Sequence, residues 1–177
     1  MDKNKSHAVA THNSIEPEVR EKLSTVLNQL LADTTDLYSH AKQAHWNVRG
    51  QDFFSLHELF DKVSEQTLEH ADEIAERVGQ LGYSVSGTIR ESARASHLAE
   101  YPLDIASGEA HIEQLSASLS EYTRHVRKGI EQADEAGDAV TNDILVQICR
   151  KTDKILWFVE SHGARLKAAV SSKKAAA

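Results

Sequence analysis

Only two prolines, Pro17 and Pro102, interrupt the 177 residues, and the chain between and after them is rich in Ala, Glu, Leu, Gln, Lys and Arg. Proline ends helices because it lacks a backbone N–H and its ring collides with the preceding turn, whereas those six residues lose little on entering one. A chain so seldom broken is confined to long helices, and an all-α fold is expected. Its length suits one domain with a real core.

Apolar spacing and turn residues set the expected elements. Residues 1–16 carry no periodicity and read as a flexible N-terminal tail. Pro17 suits the first turn of a helix whose stripe runs through Val19, Leu23, Val26, Leu27, Leu30, Leu31, Tyr38 and Ala41. The next step along that stripe is His45, and Gly50 ends the helix. A second helix, capped at Asp52 or Ser55, runs to about Leu81, before Gly82 and Gly87. The long link that follows has room for a short extra helix over Thr88–Ser96, ended by Tyr101 and Pro102. A third long helix starts near Ser107 and ends about Gly137, and a fourth runs from Asp138 to about Leu166. The result is a four-helix bundle over 17–166 with one long connection, as in ferritin-like folds, and a flexible basic tail over 167–177.

Composition excludes several classes. The net charge of -7 sets the body against nucleic acid and in favour of cations. The longest strongly apolar stretch, Ile155–Val159, is far too short to span a bilayer, and the first residues lack an apolar signal core. A cytoplasmic location without membrane contact is expected. Cys149 is the single cysteine, forms no internal disulfide, and falls in an apolar helical pattern as an inert buried thiol.

The second helix carries the chemistry. At about 100° per residue from Leu56, the side chains of Leu59, Phe60, Val63, Ile74, Val78 and Leu81 fall within roughly 60° of zero and form its core face. His70 falls in that face and reads as a hydrogen-bonded interior histidine and not as a ligand. His57, Asp61, Asp72 and Glu76 form a separate stripe between about 100° and 200°. Asp61 and Asp72 lie about 16 Å apart along such a helix, too far to share one ion. The four are mirror pairs about the midpoint between residues 66 and 67: 57 with 76, and 61 with 72. An antiparallel pairing of this helix with its copy across a two-fold axis at that midpoint would create two identical sites. Each would hold imidazole and carboxylate groups, with His45 adding a further nitrogen. Such a donor set without thiolate suits iron, with zinc, manganese or cobalt as competitors. Spacing alone leaves open that these residues are a solvated charged face. Glu65 shares the stripe but not the mirror pairing, and stays an interface charge. No Glu-x-x-His or His-Glu-x-x-His motif occurs, which removes the in-subunit di-iron and zinc-protease patterns.

His45-Trp46-Asn47-Val48-Arg49-Gly50 followed by Phe53-Phe54-Ser55-Leu56-His57-Glu58-Leu59-Phe60-Asp61 resembles the Dps family of miniferritins. Asp72-Glu73-Ile74-Ala75-Glu76-Arg77, Tyr101-Pro102-Leu103-Asp104 and Asp153-Lys154-Ile155-Leu156-Trp157-Phe158 extend the likeness over residues 18–162. The resemblance implies a dodecameric hollow shell with two-iron ferroxidase sites at two-fold interfaces, zinc being able to substitute, and the ligands His45, His57, Asp61, Asp72 and Glu76. It also implies ferrous oxidation by hydrogen peroxide or oxygen and storage of ferric mineral. Trp46, next to His45, is a candidate electron donor, with packing at the helix end as its other role. Asp138 and Asp143, in the acidic run with Glu131, Asp134 and Glu135, are candidates for a pore admitting iron, or for capping the fourth helix. Some members of the family compact DNA. Here Lys3, Lys5, Arg165, Lys167, Lys173 and Lys174 in the tails are the candidate contacts, which would bring the protein to the nucleoid. A metal-binding shell without oxidase turnover is a further alternative.

Overall fold

The computed structural model describes the backbone of residues 7–175 and the side chains of residues 7–163. Five helices follow in order: α1 (Pro17–Asn47), α2 (Phe53–Gln80), α3 (Ile89–Ala95), α4 (Gly108–Glu135) and α5 (Ala139–Ala175). The long helix α1 packs along α2 and α4 along α5, and the two pairs close on each other through α1 against α4 and α2 against α5. The short helix α3 lies on α1, within the link between α2 and α4. Among the described residues only isolated β-bridges occur, Ala8 with Tyr83 and Arg49 with Ser107. The fold is an all-α, ferritin-like bundle.

The apolar stripes meet at its centre. Leu23, Leu27 and Leu37 of α1, Leu56, Phe60, Val63, Ile74 and Val78 of α2, Leu115, Leu119 and Val126 of α4, and Leu145, Ile148 and Val159 of α5 are all buried. Truncating one such large side chain to Ala typically costs about 2–5 kcal/mol, since the lost contacts leave a cavity. The buried Thr34 and Tyr122 hydroxyls share a 2.9 Å bond across the α1–α4 contact, whereas Nε2 of His70 and of His111 lie buried without a hydrogen-bond partner.

The helix ends explain the segmentation. Gly82 takes φ +80° after α2, the Tyr83 amide donates to the Val78 carbonyl at 3.2 Å, and the helix closes in a Schellman turn. The Thr88 hydroxyl accepts from the Glu91 amide and that of Ser107 from the Ala110 amide, so both α3 and α4 begin on side-chain caps. Asp138 caps α5, its Oδ1 accepting from the amides of Val140 and Thr141.

Two differences from the sequence reading concern the tails. Residues 7–15 lie against the end of α2: the Val9 amide donates to Gly82, the Ser84 amide to His7, and the Asn13 side chain to the Gln80 carbonyl. This part of the expected tail is held by backbone bonds, which leave no trace in apolar periodicity. At the other end α5 continues to Ala175, past the expected stop near Leu166. Ala, Ser and Lys there supply no apolar stripe, yet Ala and Lys are good helix formers. Cys149 is free and buried, and burial raises its thiol pKa.

Candidate metal centre

The end of α1 meets the start of α2, and the way α1 ends fixes two imidazoles. The Val48 amide bonds back to Ala44, but the next amide, Arg49, turns away to the Ala106 carbonyl at 2.8 Å. The His45 carbonyl therefore loses its intrahelical partner. The Nδ1–H of His57 takes that place at 2.9 Å, and the Nδ1–H of His45 donates to the His57 carbonyl at 2.8 Å. A carbonyl only accepts, so both rings carry a proton on Nδ1, which leaves Nε2 as the nitrogen that can ligate a metal. The rings stack with centroids 3.7 Å apart, and Phe53 covers the His57 ring at 5.1 Å.

Asp61, one turn after His57, joins this pair, its Oδ1 lying 3.9 Å from His45 Nδ1. The same oxygen accepts from Lys42 Nζ at 2.6 Å and from the Ser64 hydroxyl at 3.3 Å. The Lys42 ammonium holds the Asp61 carboxyl below its ordinary range, against a smaller opposing effect of burial. The ammonium also sits 5.8 Å from the centroid of the Trp46 ring, which is 61% exposed. Lys42 was absent from the sequence reading. Its position three residues before His45, on the face that α1 turns to α2, was the available signal.

The structure thus brings His45, His57 and Asp61 together and leaves Asp72 and Glu76 exposed towards the far end of α2. Among the described residues no three His, Cys, Asp or Glu side chains surround one point as a finished metal site. Between the two ends lies a groove of about 820 Å³ lined by Leu31, Glu65, Leu68, Asp72, Ala75 and Val85, among others.

The other candidates are distributed differently. Asp138 is buried, and its Oδ2 accepts from Arg77 at 2.7 Å and from the Thr141 hydroxyl at 2.5 Å. With Oδ1 on the cap, both oxygens are engaged, the capping role that the sequence left open. Asp143 is exposed and accepts from Gln147 at 2.8 Å. Lys3 and Lys5 lie outside the described residues, as do the side chains of Arg165, Lys167, Lys173 and Lys174. No helix among the described residues is long and apolar enough to cross a membrane. His70 is a core residue, as read from its angle on the helix.

Comparison with known proteins places this geometry. The model of the ferritin-like domain matches residues 25–169. The DNA protection during starvation protein of Agrobacterium fabrum is 39% identical over 152 residues, 86% of this chain and 94% of that protein. Its counterpart in Mycolicibacterium smegmatis is 31% identical, covering 79% of this chain and 76% of that protein. Among solved structures, Dps from Microbacterium arborescens in a high iron form superposes with TM-score 0.79 at 29% identity, covering 89% of this chain and 99% of that one. A Mycobacterium smegmatis Dps structure gives 0.82 at 29% identity, covering 86% and 93%. By fold, sequence and extent of match, this chain belongs to the Dps family of ferritin-like proteins.

Proposed function

We propose that the protein oxidises ferrous iron at sites shared between two copies of the chain and stores the ferric product within a dodecameric shell. One observation carries this reading: His45, His57 and Asp61 stand together at one end of α2 with both Nδ1 atoms tied to backbone carbonyls and Nε2 left as the ligating nitrogen, while Asp72 and Glu76 stand exposed at the other. The mirror spacing lets a two-fold mate supply the missing carboxylates to each end. The groove between the ends supports the same reading, because Leu68 at its wall is 58% exposed and a second copy would cover it. A neighbour whose structure is described as a high iron form is consistent with iron as the substrate.

The donor set fits that ion. Imidazole nitrogen binds ferrous iron well, while carboxylates favour the harder ferric ion and so ease its oxidation. Two ferrous ions give one electron each to hydrogen peroxide, which with two protons leaves as two waters and releases no hydroxyl radical. Oxygen is the alternative oxidant. The chain's own part is to hold the two imidazoles in the ligating tautomer, to present Asp61, and to keep Lys42 as a counter-charge that an arriving cation displaces. Trp46, exposed beside Lys42, is the proposed donor to a stray radical, and Asp143 the proposed carboxylate of an iron-admitting pore.

Anaerobic ferrous loading followed by stopped-flow mixing with peroxide or oxygen tests the activity. Saturable ferrous binding followed by rapid ferric absorption is expected. Binding without oxidation by either oxidant would instead make the protein a metal-binding shell. A second role on DNA has support in the names of its relatives. With a net charge of -7 over the whole chain, that contact falls to the terminal lysines and Arg165, and gel shifts should weaken steeply with salt and vanish when the termini are trimmed.

A further inference from the structure

Away from this centre, a buried carboxylate organises a second group of ligating side chains. Asp33 of α1 has a side chain only 1% exposed. Its Oδ1 accepts from the His97 backbone amide at 2.8 Å and from Gln29 Nε2 at 3.1 Å, and its Oδ2 from Nδ1 of His125, on α4, at 2.9 Å. With Nδ1–H donated to Asp33, the His125 ring turns Nε2 outward, where it stands 3.2 Å from Oε1 of Glu121. A carboxylate behind one imidazole nitrogen is the arrangement that orients histidines on metals and makes the outer nitrogen a better donor.

The 3.2 Å contact poses an electrostatic question. A neutral ring protonated on Nδ1 would point its Nε2 lone pair at a carboxylate oxygen, which repels. Something positive must lie between them, either a second proton or a metal ion. The 3.2 Å spacing admits either, being an N–H···O length and also the separation, a little over 3 Å, of two ligands each about 2.0–2.1 Å from a tetrahedral centre. A third donor is at hand: the exposed His97 ring stands edge-on to His125 with centroids 6.0 Å apart. The geometry points to a second cation site on the α1–α4 face, where His125 Nε2 and the Glu121 carboxylate hold a zinc-type divalent ion and His97 turns in to complete it.

The metal needs the Nε2 lone pair of His125, so a proton on that nitrogen and the ion exclude each other. Arg124 is the internal competitor. Its guanidinium hydrogen-bonds Glu121 and holds that carboxyl anionic below its ordinary range, but it is 68% exposed and free to swing into solvent. Among the described residues no three ligating side chains already converge on a point, so His97 must change rotamer as the ion enters. This site does not depend on iron oxidation, since none of its residues touches His45, His57 or Asp61.

Cobalt(II) titration of the assembled protein tests it, because tetrahedral cobalt with nitrogen and oxygen ligands absorbs visibly. Glu121→Gln should lose one equivalent of cobalt per chain and its visible band while iron oxidation continues unchanged. His97→Ala should weaken the same equivalent, and Asp33→Asn should weaken it roughly 10- to 100-fold by releasing the His125 ring. If Asp33→Asn fails to assemble, the two surface variants decide. Identical cobalt stoichiometry and spectra in the parent, Glu121→Gln and His97→Ala proteins would overturn the site and leave a proton alone between His125 and Glu121.

Discussion

His45 and His57 each donate the Nδ1 proton to the other's backbone carbonyl, at 2.8 and 2.9 Å, and their rings stack with centroids 3.7 Å apart, so each ring is packed in place by the other. Their replacements should therefore not act independently. His45→Ala and His57→Ala should each lower the ferrous oxidation rate at least tenfold, as loss of a ligand or its orienting group does. The double variant should fall little further than either single one. A double variant slower by the product of the two single effects would show that the rings act separately.

Lys42 donates to Asp61 at 2.6 Å and is the proposed competitor of incoming cations. Lys42→Gln removes the competitor and keeps a hydrogen-bond donor. Anaerobic ferrous titration should then show binding tighter on the order of 2- to 5-fold, the scale of a partly exposed ion pair. Weaker binding would mean that Lys42 orients Asp61 for the metal instead of blocking it.

Burial pushes the His70 imidazole down to about 4 from an ordinary 6.5, with Lys151 adding to the effect. Above pH 6.5 the ring is neutral in both folded and unfolded chains, and its stability is fully present. As pH falls from 6.5 towards about 4 the unfolded chain takes up a proton that the folded chain refuses, so stability drops by about 3 kcal/mol over that window. His111 is shifted the same way by burial and adds to the slope. Guanidinium unfolding midpoints between pH 6.5 and 5 should fall in the parent and fall less in His70→Leu. Equal slopes would remove His70 as a source of the acid sensitivity.

The two acidic residues near the start of α5 should separate by phenotype. Asp138→Asn leaves buried Arg77 without its counter-charge and should cost about 3–5 kcal/mol, read as a lower unfolding midpoint. Asp143→Asn should leave stability unchanged and slow iron uptake at low salt, where an acidic pore draws cations. Normal uptake in Asp143→Asn would end its role in the pore.

The helices were legible because apolar side chains recur on one face of each, and the ends because Pro17, Gly82, Ser107 and Gly137 punctuate the chain. Asp72 and Glu76 were separable from the core face of α2 by angle alone, and both are exposed. Lys42 escaped because no periodicity reveals that an ammonium on α1 reaches a carboxylate on α2. Asp138 was read as a pore carboxylate or a helix cap, and its burial against Arg77 of another helix was not legible in the sequence. The ring-to-carbonyl bonds of His45 and His57 depend on where the Arg49 amide goes, a tertiary fact set by Ala106.

The division of each metal site between two chains is tested most directly by mixing two inactive proteins. A His57→Ala dimer lacks the imidazole at both sites, and an Asp72→Ala dimer lacks the carboxylate at both. In a mixed dimer, the Asp72→Ala chain brings an intact His57 to the other chain's intact Asp72, and the second site carries both defects. Random pairing of equal amounts makes about half the dimers mixed, so co-assembly should restore roughly a quarter of the wild-type sites and of the ferrous oxidation amplitude. An amplitude no higher than the mean of the two pure variants, in a sample shown by mass spectrometry to contain mixed dimers, would contradict a site shared across the two-fold axis.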